Sequence, residues 1–359
     1  MKSRHYACIL AGGSGERFWP MSRVRKPKHL LKLFSDRTLI EETARRLEGV
    51  VPSENIFVLT NEAQLEGVRS ALPFVPASQI VAEPVRRDTG PAAALATAMV
   101  CARDPEGVVA LLPADAFIRD SRRFAAQLNV AFELASGKGW ACPDAALFTF
   151  AVKPTFPSTG FGYLELGDPV AVEPVSGDFR KVIRFVEKPD AAIAKSYFES
   201  GRYAWNAGMF LWRARTFLRE ADRLEPALGR FIGEFPQGDA GAYIASRFPG
   251  LPKISVDYAI LEKARAVFTL VAEFDWDDVG AWTALPKHLG ADSAGNAVRG
   301  PVVAADASGN IAYSNGRLIA LCGVNDLVVV ETADAVLVCH RDAVQNLKKL
   351  QPLLPKDVL

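Results

Sequence analysis

The segment LAGGSGERFWP, residues 10–20, has a composition suited to binding phosphates. Glycines that follow a strand let backbone N–H groups approach a phosphate, although they also form ordinary tight turns. Arg17, and Lys28 in KPKHLLKL, would add fixed cations for the phosphate oxygens. On glycine content alone, a phosphate-binding loop and a structural turn with solvated basic residues are equally compatible with this segment.

Two common glycine motifs are excluded at this loop. The segment is not G-x-x-x-x-G-K-[ST], so it is not a P-loop. It is not G-x-G-x-x-G either, because Phe18 stands where the last glycine would be. A nicotinamide-binding Rossmann protein is therefore a weak alternative.

Further polar residues follow apolar runs later in the chain. Asp115 ends GVVALLPAD, and Asp278 lies in a turn that also contains Asp275 and Asp277. Taken alone, Asp115 fits a helix N-cap better than a ligand, and Asp278 fits a solvated acidic turn. Glu187 and Lys188 follow KVIRFV and by themselves fit a surface ion pair.

Strand-like and helix-like segments alternate in the first half of the chain. Buried strands are predicted at YACIL, NIFVLT, QIVAEP and GVVALLPAD, with helices between them. Thr89 is available to cap the Ala-rich helix TGPAAALATAMVCARD. This alternation predicts an α/β, Rossmann-like domain with a mostly parallel mixed sheet. Ligands of such sheets bind beyond the carboxyl ends of the strands, where the glycine loop and Asp115 both lie.

Small and polar residues replace the apolar ones near KHLGADSAGN, residues 287–296, which predicts a domain boundary there. We expect a nucleotide- and sugar-phosphate-binding domain over residues 1–290 and a small β module over residues 291–359. Short apolar runs bounded by Gly, Asn or Asp, such as NIAYSN and DLVVVET, predict that module. A terminal helix from about Asp342 would place Val344, Leu347 and Leu350 on one apolar face.

The overall composition excludes several classes of function. Lys and Arg number 42 against 41 Asp and Glu, so no basic field is available for nucleic acid or an acidic membrane. Five scattered cysteines without a C-x-x-C pair predict reduced thiols and a cytoplasmic protein. The four separated histidines disfavour a His-rich metal centre. No signal peptide or membrane span is predicted.

Five motifs, taken together in this order, resemble the sugar-nucleotide pyrophosphorylase family. LAGGSGERFWPMSRVRKPKHLLKL resembles its signature, and the Phe-Trp-Pro ending is the version of the mannose-1-phosphate guanylyltransferases. The others are VAEPVRRDTGPAAALA, LLPADAF, the pair FVEKPD and WNAGMFLW, and FDWDDVGAW. The C-terminal module resembles the short left-handed β-helix of these enzymes.

The resemblance implies transfer of GMP from GTP to α-D-mannose 1-phosphate, with release of pyrophosphate. Asp115 and Asp278 would hold one Mg²⁺, and the family motif selects Asp278 over Asp277. Arg17, Lys28 and Lys188 would be the catalytic cations, the last holding the phosphate of the sugar. The sugar-phosphate site would consist of Gly162, Glu187, Lys188 and Asn206, although Gly162 also fits a bend and Asn206 a turn.

The expected nucleotide site comprises the glycine loop and the segment that follows the third strand. Its residues are Leu10, Ala11, Gly12, Gly13, Ser14, Gly15, Glu16, Glu83, Arg87, Asp88 and Thr89. A carboxylate at Glu83 can accept from both N1–H and the exocyclic amine of guanine, although backbone groups of residues 10–12 remain an alternative reader. Three positions depart from the family pattern: Ala116 replaces His, Asp88 replaces Asn, and Phe161 replaces Tyr.

Two other hypotheses remain open. The chain is a nucleotidyltransferase for another base or sugar, or it is a catalytically silent regulatory relative. Retention of the phosphate cations and of both aspartates disfavours the silent form. We expect a homodimer from the resemblance and, because the chain ends at Leu359, a single activity without an isomerase domain.

Overall fold

The structure is a computed structural model that describes residues 4–13, 15–172 and 177–358. Its strands are β1 (His5–Leu10), β2 (Ile56–Asn61), β3 (Ile80–Glu83), β4 (Val108–Pro113), β5 (Ala146–Val152), β6 (Tyr163–Pro169), β7 (Phe179–Val186), β8 (Tyr203–Arg213), β9 (Ala266–Val271), β10 (Ala297–Arg299), β11 (Val302–Ala305), β12 (Ile311–Ser314), β13 (Ile319–Cys322), β14 (Leu327–Glu331) and β15 (Val336–His340).

The α-helices lie mainly between the strands of the first part of the chain. They are α1 (Leu39–Arg45), α2 (Leu65–Ala71), α3 (Thr89–Cys101), α4 (Ser121–Ala135), α5 (Ala191–Ser200), α6 (Ala214–Leu224), α7 (Pro226–Gly233), α8 (Gly241–Arg247), α9 (Val256–Ala259) and α10 (Leu285–Leu289). Short 3₁₀ helices supplement them, including Glu16–Phe18 in the glycine loop and Arg341–Lys349 near the C-terminus.

One mixed sheet carries the large domain, as the sequence predicts, but the sheet is not mostly parallel, because β8 and the β6–β7 hairpin bring in antiparallel pairings. Its strands run in the order β3-β2-β1-β4-β8-β5-β9-β7-β6. Strands β3, β2, β1 and β4 pair in parallel, as do β5 and β9. The long strand β8 enters between β4 and β5 and pairs antiparallel with both. The carboxyl ends of β1, β3 and β4 consequently meet at one edge, where the glycine loop begins.

Helices cover both faces of this sheet and enclose two large apolar cores. One core packs α1, α2 and α4 on the first face, and the other packs α3, α6 and α7 on the second. Helix α3 is buried almost all round, which explains its Ala-rich composition. Its N-cap is Asp88, whose side chain accepts from the Thr89 N–H at 2.8 Å. The expectation that Thr89 caps this helix is wrong, because the helix begins one residue earlier than the pattern suggests.

The C-terminal part stacks short parallel strands. β10, β12 and β14 pair in parallel, β11 pairs with β13, and β15 returns antiparallel along β14. The predicted terminal helix is a 3₁₀ helix, whose three residues per turn suit the spacing of Val344 and Leu347, and both are buried. Leu350 follows the end of this helix and is 38% exposed, so it is not part of the apolar face. The division at residue 290 stays a prediction.

A third apolar core joins the C-terminal part to the glycine loop. Phe18 and Trp19 pack there with Trp282, Val344 and Leu347. The five cysteines are free thiols. Among the described residues, no helix has the length and apolar character needed to cross a membrane.

Candidate active site

The glycine loop approaches the Lys28 segment closely. Gly15 has φ +62°, and a Cβ built on it would lie 2.5 Å from Lys28 Cβ and 2.6 Å from Lys28 N. A side chain at this position would therefore clash as well as disfavour the backbone conformation. This contact brings Arg17, in the next turn, into the same pocket as Lys28. Ser14, predicted to bind nucleotide, lies outside the described residues.

A pocket of about 290 Å³ brings together four of the predicted phosphate and metal residues. Arg17, Lys28, Asp115 and Asp278 all line it, together with Gly15 and Glu16. Lys28 Nζ lies 3.0 Å from Asp115 Oδ2 and also donates to the Asp278 carbonyl. Arg17 Nη1 donates to the Gly280 carbonyl at 3.1 Å. We call this space the phosphate pocket.

A backbone bridge holds the two predicted metal-binding loops side by side. Phe117 N donates to Asp277 O at 2.8 Å, and Asp277 N donates to Phe117 O at 3.0 Å. These residues stand two after Asp115 and one before Asp278. Helix α4 is capped by Asp120, so the helix-cap interpretation of Asp115 is wrong.

Asp277 and Asp278 have different environments. The Asp277 carboxylate accepts from Lys287 Nζ at 2.9 Å and from Val279 N at 2.8 Å, and lies 3.0 Å from His288 Nε2. Burial alone would raise the pKa of Asp277, but these contacts lower it to about 2. The Asp278 carboxylate accepts no hydrogen bond within the described part of the chain. Asp277 is thus occupied in holding the turn, and Asp278 remains available to a ligand.

The electrostatics of the phosphate pocket suit a divalent cation. Burial raises the pKa of Asp278; the Lys28 charge opposes this shift, and the nearby charges of Asp277 and Asp115 add to it. Burial acts in the same direction on Asp115, but the Lys28 ammonium outweighs it and keeps the pKa below its ordinary value. Mg²⁺ commonly binds one or two carboxylates and completes its octahedron with phosphate oxygens and water. Asp115 and Asp278 provide a donor set of this kind.

A larger cavity, about 450 Å³, adjoins the phosphate pocket, and Asp278 lines both. Glu83, at the end of β3, lies at one end of this cavity near Gly12, where a built Cβ would stand 3.9 Å from Glu83 Oε2. Burial raises the pKa of Glu83 to about 7, although the Arg86 charge opposes the shift. Arg86 also donates to the Gly12 carbonyl at 3.0 Å. We call this part the base end.

Some of the remaining predicted nucleotide residues line the cavity, and others make hydrogen bonds that hold the surrounding fold. Leu10, Gly13 and Arg87 line the cavity, as do Asp88 and Thr89. Ala11 is fully buried, its N–H donates to Leu59 O at 2.7 Å, and its carbonyl accepts from Thr60 Oγ1 at 3.0 Å. Its backbone groups thus already have partners within the fold, and the role of Ala11 in nucleotide binding stays a prediction. Thr89 Oγ1 accepts from Val256 N at 3.0 Å, which ties α3 to the start of α9.

The predicted sugar residues line the same cavity from the side of β8, which β2, β1 and β4 separate from β3 in the sheet. A Cβ on Gly162 would lie 2.5 Å from Glu187 Oε2 and 3.5 Å from Asn206 Cβ, so this glycine permits a close approach. Asn206 N donates to Gly162 O at 2.8 Å, and Thr149 Oγ1 fixes the Asn206 amide by donating to Oδ1 at 2.8 Å. Gly162, Glu187 and Asn206 line the same cavity as Glu83. We call this part the sugar end.

Lys188 stands beside this group. Its ammonium donates to Glu187 Oε1, and burial, which would lower its pKa, is outweighed by this bond, so the pKa is raised. Lys188 does not line the two cavities as they stand. Its φ is +45°, as is that of Val279 next to Asp278. Non-glycine residues at positive φ concentrate at functional sites.

Comparison with known families decides the class of protein. A family model described as nucleotidyl transferase matches residues 6–292, and one described as a MannoseP isomerase/GMP-like beta-helix domain matches residues 300–352. The chain belongs to the nucleotidyl transferase family. The resemblance inferred from the five motifs is confirmed.

Several relatives of this nucleotidyl transferase have similar chains. The xanthan biosynthesis protein XanB of Xanthomonas campestris is 36% identical over 95% of this chain and 71% of its own length. A mannose-1-phosphate guanylyltransferase of Escherichia coli is 35% identical over 97% of this chain and 74% of its own. A solved structure from Thermus thermophilus, named mannose-1-phosphate geranyltransferase, is 33% identical with a TM-score of 0.85, covering 98% of this chain and 99% of that one.

The sequence patterns missed Asp257 at the sugar end of this nucleotidyl transferase. Asp257 lines the cavity, and its Oδ1 accepts from Asn206 Nδ2 at 3.4 Å. Burial, reinforced by the Glu187 charge, raises its pKa to about 7. In sequence it lies in VDYAILEKA, which has the spacing of a helix, and in the structure Ser255 caps α9. That local signal conceals a ligand-facing carboxylate.

Aromatic rings also line the sugar end. Phe161 contacts Trp205 and Trp276 edge-on, at centroid distances of 4.9 and 5.4 Å. Phe161 and Trp276 face the cavity. The departure from Tyr at position 161 therefore retains a ring but removes a hydroxyl next to the sugar residues.

Proposed function

We propose that the chain transfers GMP from GTP to α-D-mannose 1-phosphate in the presence of Mg²⁺, forming GDP-mannose and pyrophosphate. The names of the relatives from Escherichia coli, Salmonella typhimurium and Klebsiella pneumoniae support this choice of substrates. The structural support is the continuity of the site, because Glu83 and Glu187 lie at two ends of one cavity and Asp278 also lines the phosphate pocket.

The two ends of the cavity suit the two substrates. The Glu83 carboxylate, when ionised, accepts from N1–H and N2–H of guanine, a pair of donors that adenine lacks. Glu187, Asn206 and Asp257 present oxygens and an amide to the hydroxyls of a hexose. The α-phosphorus of the nucleotide then lies between these ends, beside Asp278.

No general base is required for the reaction. The phosphate of a sugar phosphate has a second pKa near 6, so its oxygen is already anionic at neutral pH. The chief barrier is the approach of two anions. Arg17 and Lys28 neutralise the phosphates of the nucleotide, and Lys188, paired with Glu187 in the free enzyme, binds the phosphate of the sugar.

Asp115 and Asp278 would hold the Mg²⁺. A bound ion would supply Lewis-acid polarisation of the phosphoryl group. Lys28, bonded to Asp115 and to the Asp278 backbone, positions the two carboxylates for this role.

Pyrophosphate release, measured across a matrix of nucleotides and sugar 1-phosphates, tests the proposal. We expect GTP with mannose 1-phosphate to give the highest kcat/KM, and chelation of the metal to abolish turnover. Preference for UTP or dTTP would reject the assignment of the base, and preference for glucose 1-phosphate would reject that of the sugar. No release with any pair would favour the silent relative.

We further propose a homodimer in the cytoplasm, as the resemblance implies. Light scattering of the purified chain tests the homodimer, and fractionation of cells that express the chain tests the cytoplasmic location.

A further inference from the structure

The C-terminal 3₁₀ helix, Arg341–Lys349, packs directly on the glycine loop. Val344 and Leu347 are buried in the apolar core that contains Phe18, the residue after Arg17. Trp19 Nε1 also donates to the Val358 carbonyl at 2.8 Å. The last turn of this helix is therefore held in a fixed place beside the phosphate pocket.

Lys348, in that last turn, lines the phosphate pocket together with Arg17 and Lys28. Its ammonium makes no ion pair or hydrogen bond with the residues that the structure describes. Lys28, in contrast, is paired with Asp115. Lys349 is the next residue of the same helix, and both lysines are exposed, but Lys349 does not line the pocket. Lys348 is thus a cation that lines this pocket without a partner among the described residues.

The anion follows from the position of the pocket, on the basis of the function proposed above. Asp278 marks the wall between the phosphate pocket and the cavity for guanosine and sugar. A nucleotide with its α-phosphate at this wall extends its β- and γ-phosphates into the phosphate pocket. We infer that Lys348 binds these two phosphates, and then the pyrophosphate that they become.

The charge changes of the reaction support such a role. An oxygen of the sugar phosphate forms a bond to the α-phosphorus, and the bond from this phosphorus to the α–β bridging oxygen breaks. The electron pair remains on that oxygen, so the departing pyrophosphate gains a negative charge. A compact ammonium close to the leaving group stabilises this charge. The C-terminal part of the chain therefore contributes a binding residue to the reaction.

Three variants test the inference: Lys348→Gln, its matched control Lys349→Gln, and the conservative Lys348→Arg. Both directions of the reaction are followed in steady state. In Lys348→Gln we expect the KM for pyrophosphate in the reverse direction to rise at least about tenfold, the effect of losing one charge-assisted contact. The KM values for mannose 1-phosphate and GDP-mannose should stay within about twofold of the wild type, because Lys348 does not line the larger cavity. Lys349→Gln should match the wild type, and Lys348→Arg should recover most of the loss.

An unchanged KM for pyrophosphate in Lys348→Gln would overturn the inference. An equal loss in Lys349→Gln would do the same, because it would indicate a general effect of surface charge. If the wild type makes no GDP-mannose, the proposed function fails instead. Calorimetric titration of wild type and Lys348→Gln with magnesium pyrophosphate then still decides whether Lys348 binds this anion.

Discussion

Replacing Glu83 by Gln should stabilise the protein and lower its affinity for guanine nucleotides. Burial raises the pKa of Glu83 to about 7 from its ordinary value of 4.5. The folded state therefore keeps this proton to a higher pH than the unfolded state, and stability falls as the pH rises from about 4.5 to 7. A glutamine at this position carries no charge, so the variant avoids that loss.

The size of the gain follows from the same pKa. At about 1.36 kcal/mol per pKa unit, the difference between 4.5 and about 7 corresponds to roughly 3 kcal/mol at pH 8. Glu83 is partly exposed, and solvent screening reduces this difference, so we expect about 1–2 kcal/mol in practice. The gain should be largest at pH 8 and small at pH 5. Urea denaturation at both pH values measures it.

The affinity for GTP, in contrast to the stability, should fall in Glu83→Gln. Gln presents one acceptor and one donor where guanine needs two acceptors, so the Kd for GTP should rise about tenfold or more. Wild-type affinity for GTP should also fall as the pH drops below about 7, and this dependence should vanish in Glu83→Gln. Glu62→Gln, at an exposed site beyond β2, is the matched control and should change neither property. If Glu83→Gln binds GTP as tightly as the wild type, the Glu83 side chain does not recognise guanine.

Three other substitutions probe the phosphate pocket and the sugar end. Asp278→Asn should lower kcat at least about a hundredfold, because one of two carboxylates for the metal is lost, with little change in melting temperature. Gly162→Ala places a methyl group 2.5 Å from Glu187 Oε2, so the KM for mannose 1-phosphate should rise and stability should fall by about 1–3 kcal/mol, by kinetics and denaturation. Asp257→Asn should raise the KM for mannose 1-phosphate several-fold. In the wild type the KM for mannose 1-phosphate should fall as the pH rises through about 7, because Asp257 ionises there. Asp257→Asn should abolish this pH dependence.

Each of these substitutions has a control or a contrary outcome. Asp277→Asn loses the charge that pairs with Lys287 and should lower the melting temperature more than Asp278→Asn does. Full activity in Asp278→Asn would remove this residue from the metal site. Gly233→Ala adds a methyl group with nothing within 4 Å and should leave the KM values unchanged. A pH profile in Asp257→Asn identical to that of the wild type would exclude Asp257 as the titrating group.

Residues in contiguous motifs were the easiest part of the site to predict. Arg17, Asp115 and Glu187 each follow a recognisable strand or loop, and the structure places all three at the two adjoining cavities. The strand order was harder to predict from the sequence. Buried strands such as β4 and β8 have continuous apolar sequences whether they pair parallel or antiparallel, so the insertion of β8 leaves no local signature.

Two residues could not be predicted from local sequence because distant contacts place them. Asp257 reaches the sugar end because Thr89 and Gly90 bond to residues 254–256, in a contact across the fold. Lys348 reaches the phosphate pocket because the C-terminal part packs on Phe18 and Trp19. In both cases the local pattern is that of an ordinary capped helix, and the tertiary packing supplies the role.

The backbone bridge between Phe117 and Asp277 has a consequence for metal affinity. Two carboxylates on separate flexible loops would repel each other and swing apart, and an arriving cation would have to restrain both. Here the pair of main-chain bonds makes that restraint part of the fold itself. Affinity for the ion should therefore depend on the rigidity of this short junction, and loosening it would weaken capture of the metal without altering either ligand.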